Sequence, residues 1–256
     1  MALSVLDRPG DRSEPTLLLL HGLGSNGAVW NRLLEALAGR WRGRVLVPDL
    51  RGHGRSLPGP EYALGRHAAD VAEFLAHDEP VSIVGHSMGG AIGVALASGW
   101  YALRVQHVLG LGIKPVFAAD ELEQARALAA KPRRYFATQH EAAERFLLVN
   151  GLTGIVTPDD EVATRGVRRD FEGYALAADP RVTLVAGPPL APMLSAACVP
   201  VVLATGERDE VATVDALRAC AGNVAVIPGA GHNAHVERAD VVAELILVTL
   251  LAGNLR

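Results

Sequence analysis

Cysteine is nearly missing from this chain: Cys198 and Cys220 are its only two in 256 residues. Two thiols so placed supply neither the framework of a disulfide-stapled secreted domain nor the spacing of a zinc site. Both are expected to be free, one ahead of a strand and one in a helix. A basic excess is missing too. Lys and Arg number 24 against 28 Asp and Glu, for a net charge of −4, and no basic run offsets it. That balance speaks against nucleic acid or an anionic membrane surface as the main partner. No apolar run approaches the roughly 20 residues of a membrane-spanning helix. Residues 1–8 lack a basic segment leading into a long apolar core, so no secretory signal is expected and the cytoplasm is the default location. The sequence contains no internal repeat and no low-complexity tract.

What is there is 50% hydrophobic and 20% charged, and the length suits one well-cored domain rather than two. Short β-like runs alternate with helical stretches, the pattern of a mostly parallel sheet covered on both faces. Strands are predicted near 2–7, 16–20, 44–48, 81–85, 105–110, 199–204 and 223–227. Helices are predicted near 28–39, 65–77, 88–99, 212–221 and 239–251. Between residues 110 and 199 lies a long insert with helical periodicity over 120–130, 141–149 and 159–178. So long a segment inside a compact domain is usually functional.

One segment carries most of the chemistry. Residues 81–84 form a buried-type apolar run, Gly85-His86-Ser87-Met88-Gly89 follows, and a small-residue stretch suited to a helix begins at Ala91. A strand turning sharply into a helix with Ser at the apex exposes that hydroxyl, and the flanking glycines allow the close turn. The turn also aims the first backbone N–H groups of the helix at whatever Ser87 attacks. A serine that only capped the helix would not need Gly85, Gly89 and Gly90 around it.

Other segments fall at strand ends. Residues 17–20 run into His21-Gly22-Leu23-Gly24, and 45–48 run into Asp49-Leu50-Arg51-Gly52-His53-Gly54-Arg55-Ser56. Residues 201–204 precede Gly206-Glu207-Arg208-Asp209-Glu210, and 224–227 precede Gly231-His232-Asn233-Ala234-His235-Val236-Glu237. The chain has nine histidines, so residue type alone does not select a base. His232, in a loop after the last strand, can reach the turn, and histidine is the side chain whose unperturbed pKa, near 6.5, suits proton transfer. His235 is its rival, whereas His86, next to Ser87, is expected to point the other way. Glu207, Asp209 and Glu210 all remain candidates for the acid.

Over nearly its whole length this pattern resembles the α/β-hydrolase superfamily, whose catalytic residues run in the order Ser, acid, His. The resemblance implies an α/β fold with a mostly parallel sheet of about seven strands flanked by helices. Residues ahead of 17 leave room for one strand and a turn, so of the family's usual eight strands the first is expected to be missing. It also implies a core of residues 1–112 and 191–256, with residues 113–190 as a helical cap. Ser87 becomes the nucleophile, His232 the general base and Asp209 the acid that holds its tautomer. The backbone N–H groups of Leu23 and Met88 become the oxyanion hole. Asp49, Arg51 and Gly52 become structural braces. Trp30, Trp100 and Tyr101 are expected to pack in the core or cap, and Arg133-Arg134 to lie on a solvated helix face.

No cofactor and no metal are implied. The expected activity is hydrolysis of a small, largely apolar carboxylic ester or lactone through an acyl-enzyme on Ser87. A Ser in place of Asp disfavours haloalkane dehalogenase and epoxide hydrolase chemistry. The same residues serve a C–C bond hydrolase, a cofactor-free perhydrolase or haloperoxidase, a thioesterase or an amidase, and an attenuated set serves a small-molecule receptor. The expected partner is a small ester-like molecule, with oligomeric state left open.

Overall fold

The computed structural model describes residues 3–251. In chain order, strands β1 (Ser4–Arg8) and β2 (Thr16–Leu20) precede a 3-10 turn (Gly27–Trp30) and helix α1 (Asn31–Ala36). Then follow β3 (Val45–Asp49), α2 (Leu64–Phe74), β4 (Val81–His86), α3 (Met88–Leu96) and β5 (Val105–Leu111). The insert holds α4 (Ala119–Ala129), α5 (Gln139–Val149), α6 (Glu161–Arg165), β6 (Val167–Asp170), β7 (Gly173–Leu176), a second 3-10 segment (Pro180–Val185) and α7 (Leu190–Ser195). The chain returns through β8 (Val201–Gly206), α8 (Val214–Ala221), β9 (Val224–Ile227), α9 (Ala234–Glu237) and α10 (Ala239–Leu251).

The main sheet has seven strands in the order β1-β3-β2-β4-β5-β8-β9. Only β1 is antiparallel, pairing with β3. This is an α/β fold with a mostly parallel sheet between helices. Every residue of β2 is buried, as a central strand covered on both faces requires. The strand's period of two separates its leucines. Leu17 and Leu19 join Trp30, Leu33 and Ile246 on one side, while Leu18 and Leu20 join Ile83, Ile92 and Leu217 on the other. Most expected elements form. The helix expected over 28–39 is split into the 3-10 turn and the short α1. The strand expected from residue 2 runs from Ser4, and residue 2 lies outside the described residues.

The insert departs most from expectation. The helix predicted over 159–178 ends at Arg165, and an antiparallel hairpin of β6 and β7 follows. Gly166 closes α6 where any side chain would strike the Phe146 ring, and Gly173 turns the hairpin at φ 132°. Trp100 is 83% exposed and packs in neither core nor insert: α3 stops at Leu96, short of the expected residue 99, and Gly99 at φ 79° turns the chain just before the indole. Trp30 is fully buried, and the half-buried Tyr101 donates to the Gly65 carbonyl. Arg134 lies over the Phe136 ring, whereas Arg133 is half-buried and donates to the Leu176 carbonyl rather than standing in solvent. Cys198 and Cys220 are free thiols.

Candidate active site

The turn between β4 and α3 is strained at one residue. Ser87 has φ 50° and ψ −115°, a conformation that side chains avoid, and its hydroxyl does not cap α3. Such strain persists only where surrounding structure enforces it. Here a Cβ on Gly85 would strike the Gly89 carbonyl, and one on Gly89 would strike the Leu20 carbonyl. The elbow is therefore clamped between α3 and β2. The Ser87 N–H donates to Leu111 at 2.7 Å, tying the apex to β5.

Asp209 and His232 meet across the ends of β8 and β9. His232 Nδ1 lies 2.9 Å from Asp209 Oδ2. The other oxygen, Oδ1, accepts the N–H groups of Val211 and Ala212 at 2.8 and 2.9 Å. The Thr205 hydroxyl stands 2.9 Å from Oδ2. Burial opposes charge on Asp209, but the His232 hydrogen bond and the backbone donors outweigh it and hold the carboxyl below the usual range. The Asp209 side chain is 0% exposed and that of His232 24%, so the pair is anchored at one end and open at the other. Glu207 instead accepts the Gly229 N–H, and Glu210 is exposed. His232 and Ser87 line one depression.

The neighbouring histidines do other work. His21 accepts the Leu50 N–H at Nε2 (2.9 Å), which leaves Nδ1 to donate to the Gly22 carbonyl at 2.8 Å. His53 accepts the Gly24 N–H at Nε2 (3.0 Å), and its Nδ1 donates to the Arg51 carbonyl at 2.9 Å. Two neutral rings thus fix the 22–24 loop from below, and burial keeps the pKa of each depressed. The intervening Leu23 N–H has no acceptor among the described residues. The Met88 N–H opens α3, ahead of the helix's own hydrogen-bond ladder. His86 does not point away from the base. Its ring lies between those of His232 and His235, at 4.7 and 4.3 Å, and its Nε2 is 3.0 Å from the His232 carbonyl oxygen. Gly22, bare of a side chain, leaves the ring its room: a Cβ there would lie 2.8 Å from His86 Nδ1. His235 is fully buried against Trp30, both ring nitrogens unpartnered, and burial drives its pKa down to about 3.

Asp49 is fully buried and accepts the Gly27 and Arg55 N–H groups and the Arg165 guanidinium of α6. Arg51 grips Asp70 through two hydrogen bonds. Both pairs are braces, distinct from the open His232 pair. Among the described residues, no group of three or more His, Cys, Asp or Glu side chains is placed to hold a metal ion. Nor is any helix long and apolar enough to cross a membrane.

Residues 17–245 match the model of the alpha/beta hydrolase family. The chain belongs to that family. Among curated relatives, the magnesium-chelatase 30 kDa subunit of Rhodobacter capsulatus is 37% identical over 136 residues, 48% of this chain and 45% of that protein. The pimeloyl-acyl-carrier-protein methyl ester esterase of Aeromonas hydrophila is 35% identical over 151 residues, 57% of this chain and 58% of its own. The match thus spans about half the length of these relatives. In structure the chain is similar to an E-2-(acetamidomethylene)succinate hydrolase, with a TM-score of 0.79 over 97% of this chain and 94% of that one. At 23% identity that likeness speaks to the fold.

Two residues of the candidate site, Gly112 and Asn233, stand out only in the structure. Gly112, at φ 59°, leaves room where a side chain would sit 3.1 Å from Asp209 and 3.2 Å from His232. Asn233 donates to the Asn150 and Gly151 carbonyls at 2.9 and 3.2 Å, tying the His232 loop to the end of α5. A Gly after a strand and an Asn beside the candidate base were the available hints.

Proposed function

We propose that this protein is a serine hydrolase that cleaves a small carboxylic ester or lactone. Ser87 attacks the carbonyl carbon while His232 takes the hydroxyl proton, and Asp209 holds Nδ1–H so that Nε2 faces Ser87. The tetrahedral oxyanion is received by the N–H groups of Leu23 and Met88. His232 then gives its proton to the departing alcohol as the C–O bond breaks, leaving an acyl ester on Ser87. A water deprotonated by His232 adds to that ester and releases the acid. Each turnover consumes one water and restores every protein proton.

The observation that carries this reading is the 2.9 Å Asp209–His232 bond at the edge of the depression that holds the strained Ser87. The esterase name of the Aeromonas relative supports the reaction class. In this reading residues 113–190 form the cap over the core of 1–112 and 191–256, bolted to it by Arg165 on Asp49 and by Asn233 on α5. A fluorophosphonate is expected to label the protein at Ser87 and to leave the Ser87→Ala variant unlabelled. A p-nitrophenyl ester series from acetate to decanoate is expected to show turnover that the same substitution abolishes. Labelling that survives the substitution overturns the proposal.

A further inference from the structure

Ser87 stands where two depressions meet, and they differ in chemistry. One, of about 80 Å³, is walled by Met88, Ile113, Phe117, Leu190 and Met193. Its only charged side chain, Lys114, is held by Glu121 and lies over the Phe117 ring, so it offers no free charge. The other, of about 430 Å³, is more polar: His232, Asn150, Asn233 and Glu237 line it beside Leu23, Val149 and Val211. Of the candidate oxyanion donors, Met88 lines only the apolar depression and Leu23 lines both, whereas His232 lines only the polar one.

This arrangement gives the site two distinct sides. The proton that His232 returns must reach the leaving oxygen or sulfur, so the leaving group departs on the His232 side. The acyl chain then takes the apolar side. In the polar depression, two side-chain amides are oriented by their own bonds. Asn150 Nδ2 donates to the Phe146 carbonyl, and Asn233 Nδ2 to the end of α5. Their Oδ1 atoms accept nothing from the described residues; Asn150 is half-buried and Asn233 buried at the wall. Two free acceptors ask for donors. The one carboxylate there, Glu237, already accepts the Gly231 N–H, and no Lys or Arg lines the wall. An anionic leaving group would find no cation.

Resting on the serine hydrolase reading, we infer that the substrate is an ester or thioester of a short apolar acid with a neutral, donor-bearing alcohol or thiol. Hydroxyl or amide N–H groups on the leaving group bind Asn150 and Asn233. The test compares two isomers of one formula, 2-hydroxyethyl butyrate and butyl glycolate, each rate divided by that ester's own rate with hydroxide. S-butyryl-N-acetylcysteamine distinguishes an amide-bearing thiol from a polyol as the source of the donors.

The wild-type protein is expected to favour 2-hydroxyethyl butyrate by tenfold or more in normalised kcat/KM. Asn150→Leu should cut that ratio severalfold, and Ala91→Leu, which narrows the apolar side, should slow butyrate more than acetate. A ratio near one, or a reversed ratio, with turnover that Ser87→Ala abolishes overturns the two-sided assignment and leaves the hydrolase reading standing. Labelling at Ser87 without turnover of any of the three esters overturns the substrate class alone. Absence of both labelling and turnover overturns the hydrolase reading itself.

Discussion

His232 and His235 flank Asn233 and Ala234 and differ in nearly everything a base needs. His232 has a carboxylate on one nitrogen and an open side, whereas His235 is sealed between Trp30 and His86 with neither nitrogen partnered. The contrast extends to His21, His53, His67 and His86, all buried, each with its pKa lowered first by burial. Residue type therefore says little about proton chemistry in this chain. What separates a base from a brace is access to water together with an anion that stabilises the charged ring.

The sharpest break in that comparison is at the rivals themselves. Replacing His232 with Ala should lower kcat by roughly 10⁵- to 10⁶-fold, the scale seen when a triad histidine is removed. Its thermal stability should change little. His235→Ala should do the reverse, costing about 2–4 kcal/mol of stability through the cavity left beside Trp30 while kcat stays within about tenfold. Ester hydrolysis and thermal melts of the two variants decide it, and equal losses of activity would remove the distinction. Asp209→Asn tests the anion. The variant keeps the hydrogen-bonded geometry but offers the wrong tautomer, and a kcat loss of about 10⁴ is expected. Glu207→Gln and Glu210→Gln should stay near wild type, since neither reaches His232.

The buried set makes its own prediction, in stability. Each of these histidines has a folded pKa below the unfolded value near 6.5, with His67 at about 4 and His235 at about 3. Below pH 6.5 the unfolded chain takes up protons that the folded chain refuses, so stability falls as pH falls through that value. Each ring contributes up to about 1.4 kcal/mol per pH unit until its folded pKa is reached. Asp209 adds to the loss only lower down, because its stabilisation is lost as pH falls from the unfolded carboxyl value of about 3.9 through its depressed folded pKa. Urea unfolding at pH 7.5 and 5.5 should show the drop, and His67→Phe should remove one ring's share. A pH-independent midpoint over that interval would mean these rings titrate while folded.

Much of this was legible before the structure. The apolar runs placed β2, β4 and β8 because parallel strands buried on both faces write continuous hydrophobic sequence. The glycines around Ser87 placed the elbow, since the close approach of α3 to β2 tolerates nothing larger. The hairpin after Arg165 was not legible, because its turn and its break from α6 depend on Phe146 filling the space beside Gly166. Likewise the bond from Arg165 to Asp49 joins residues far apart in sequence, and local periodicity does not encode such a pair. The room for the His86 ring comes from Gly22, a neighbour only after the sheet forms.

The smallest expected effect probes whether a brace contributes to rate. His53 holds the Gly24 N–H at 3.0 Å, one residue from the proposed oxyanion donor Leu23. It touches no reacting atom and acts by fixing the loop's peptide planes. His53→Phe deprives the Gly24 N–H of its acceptor, and an oxyanion donor drifting from position costs a fraction of the 10²- to 10³-fold seen when one is deleted outright. A drop in kcat of about tenfold with KM little changed is the expected result, partly restored in His53→Gln, whose amide oxygen can accept the same N–H. A ring that only filled space would give the opposite pattern: Phe would keep the rate and Gln would lose stability. Measuring kcat, KM and melting temperature for both variants therefore separates a positioning role from packing, which a single alanine variant would confound.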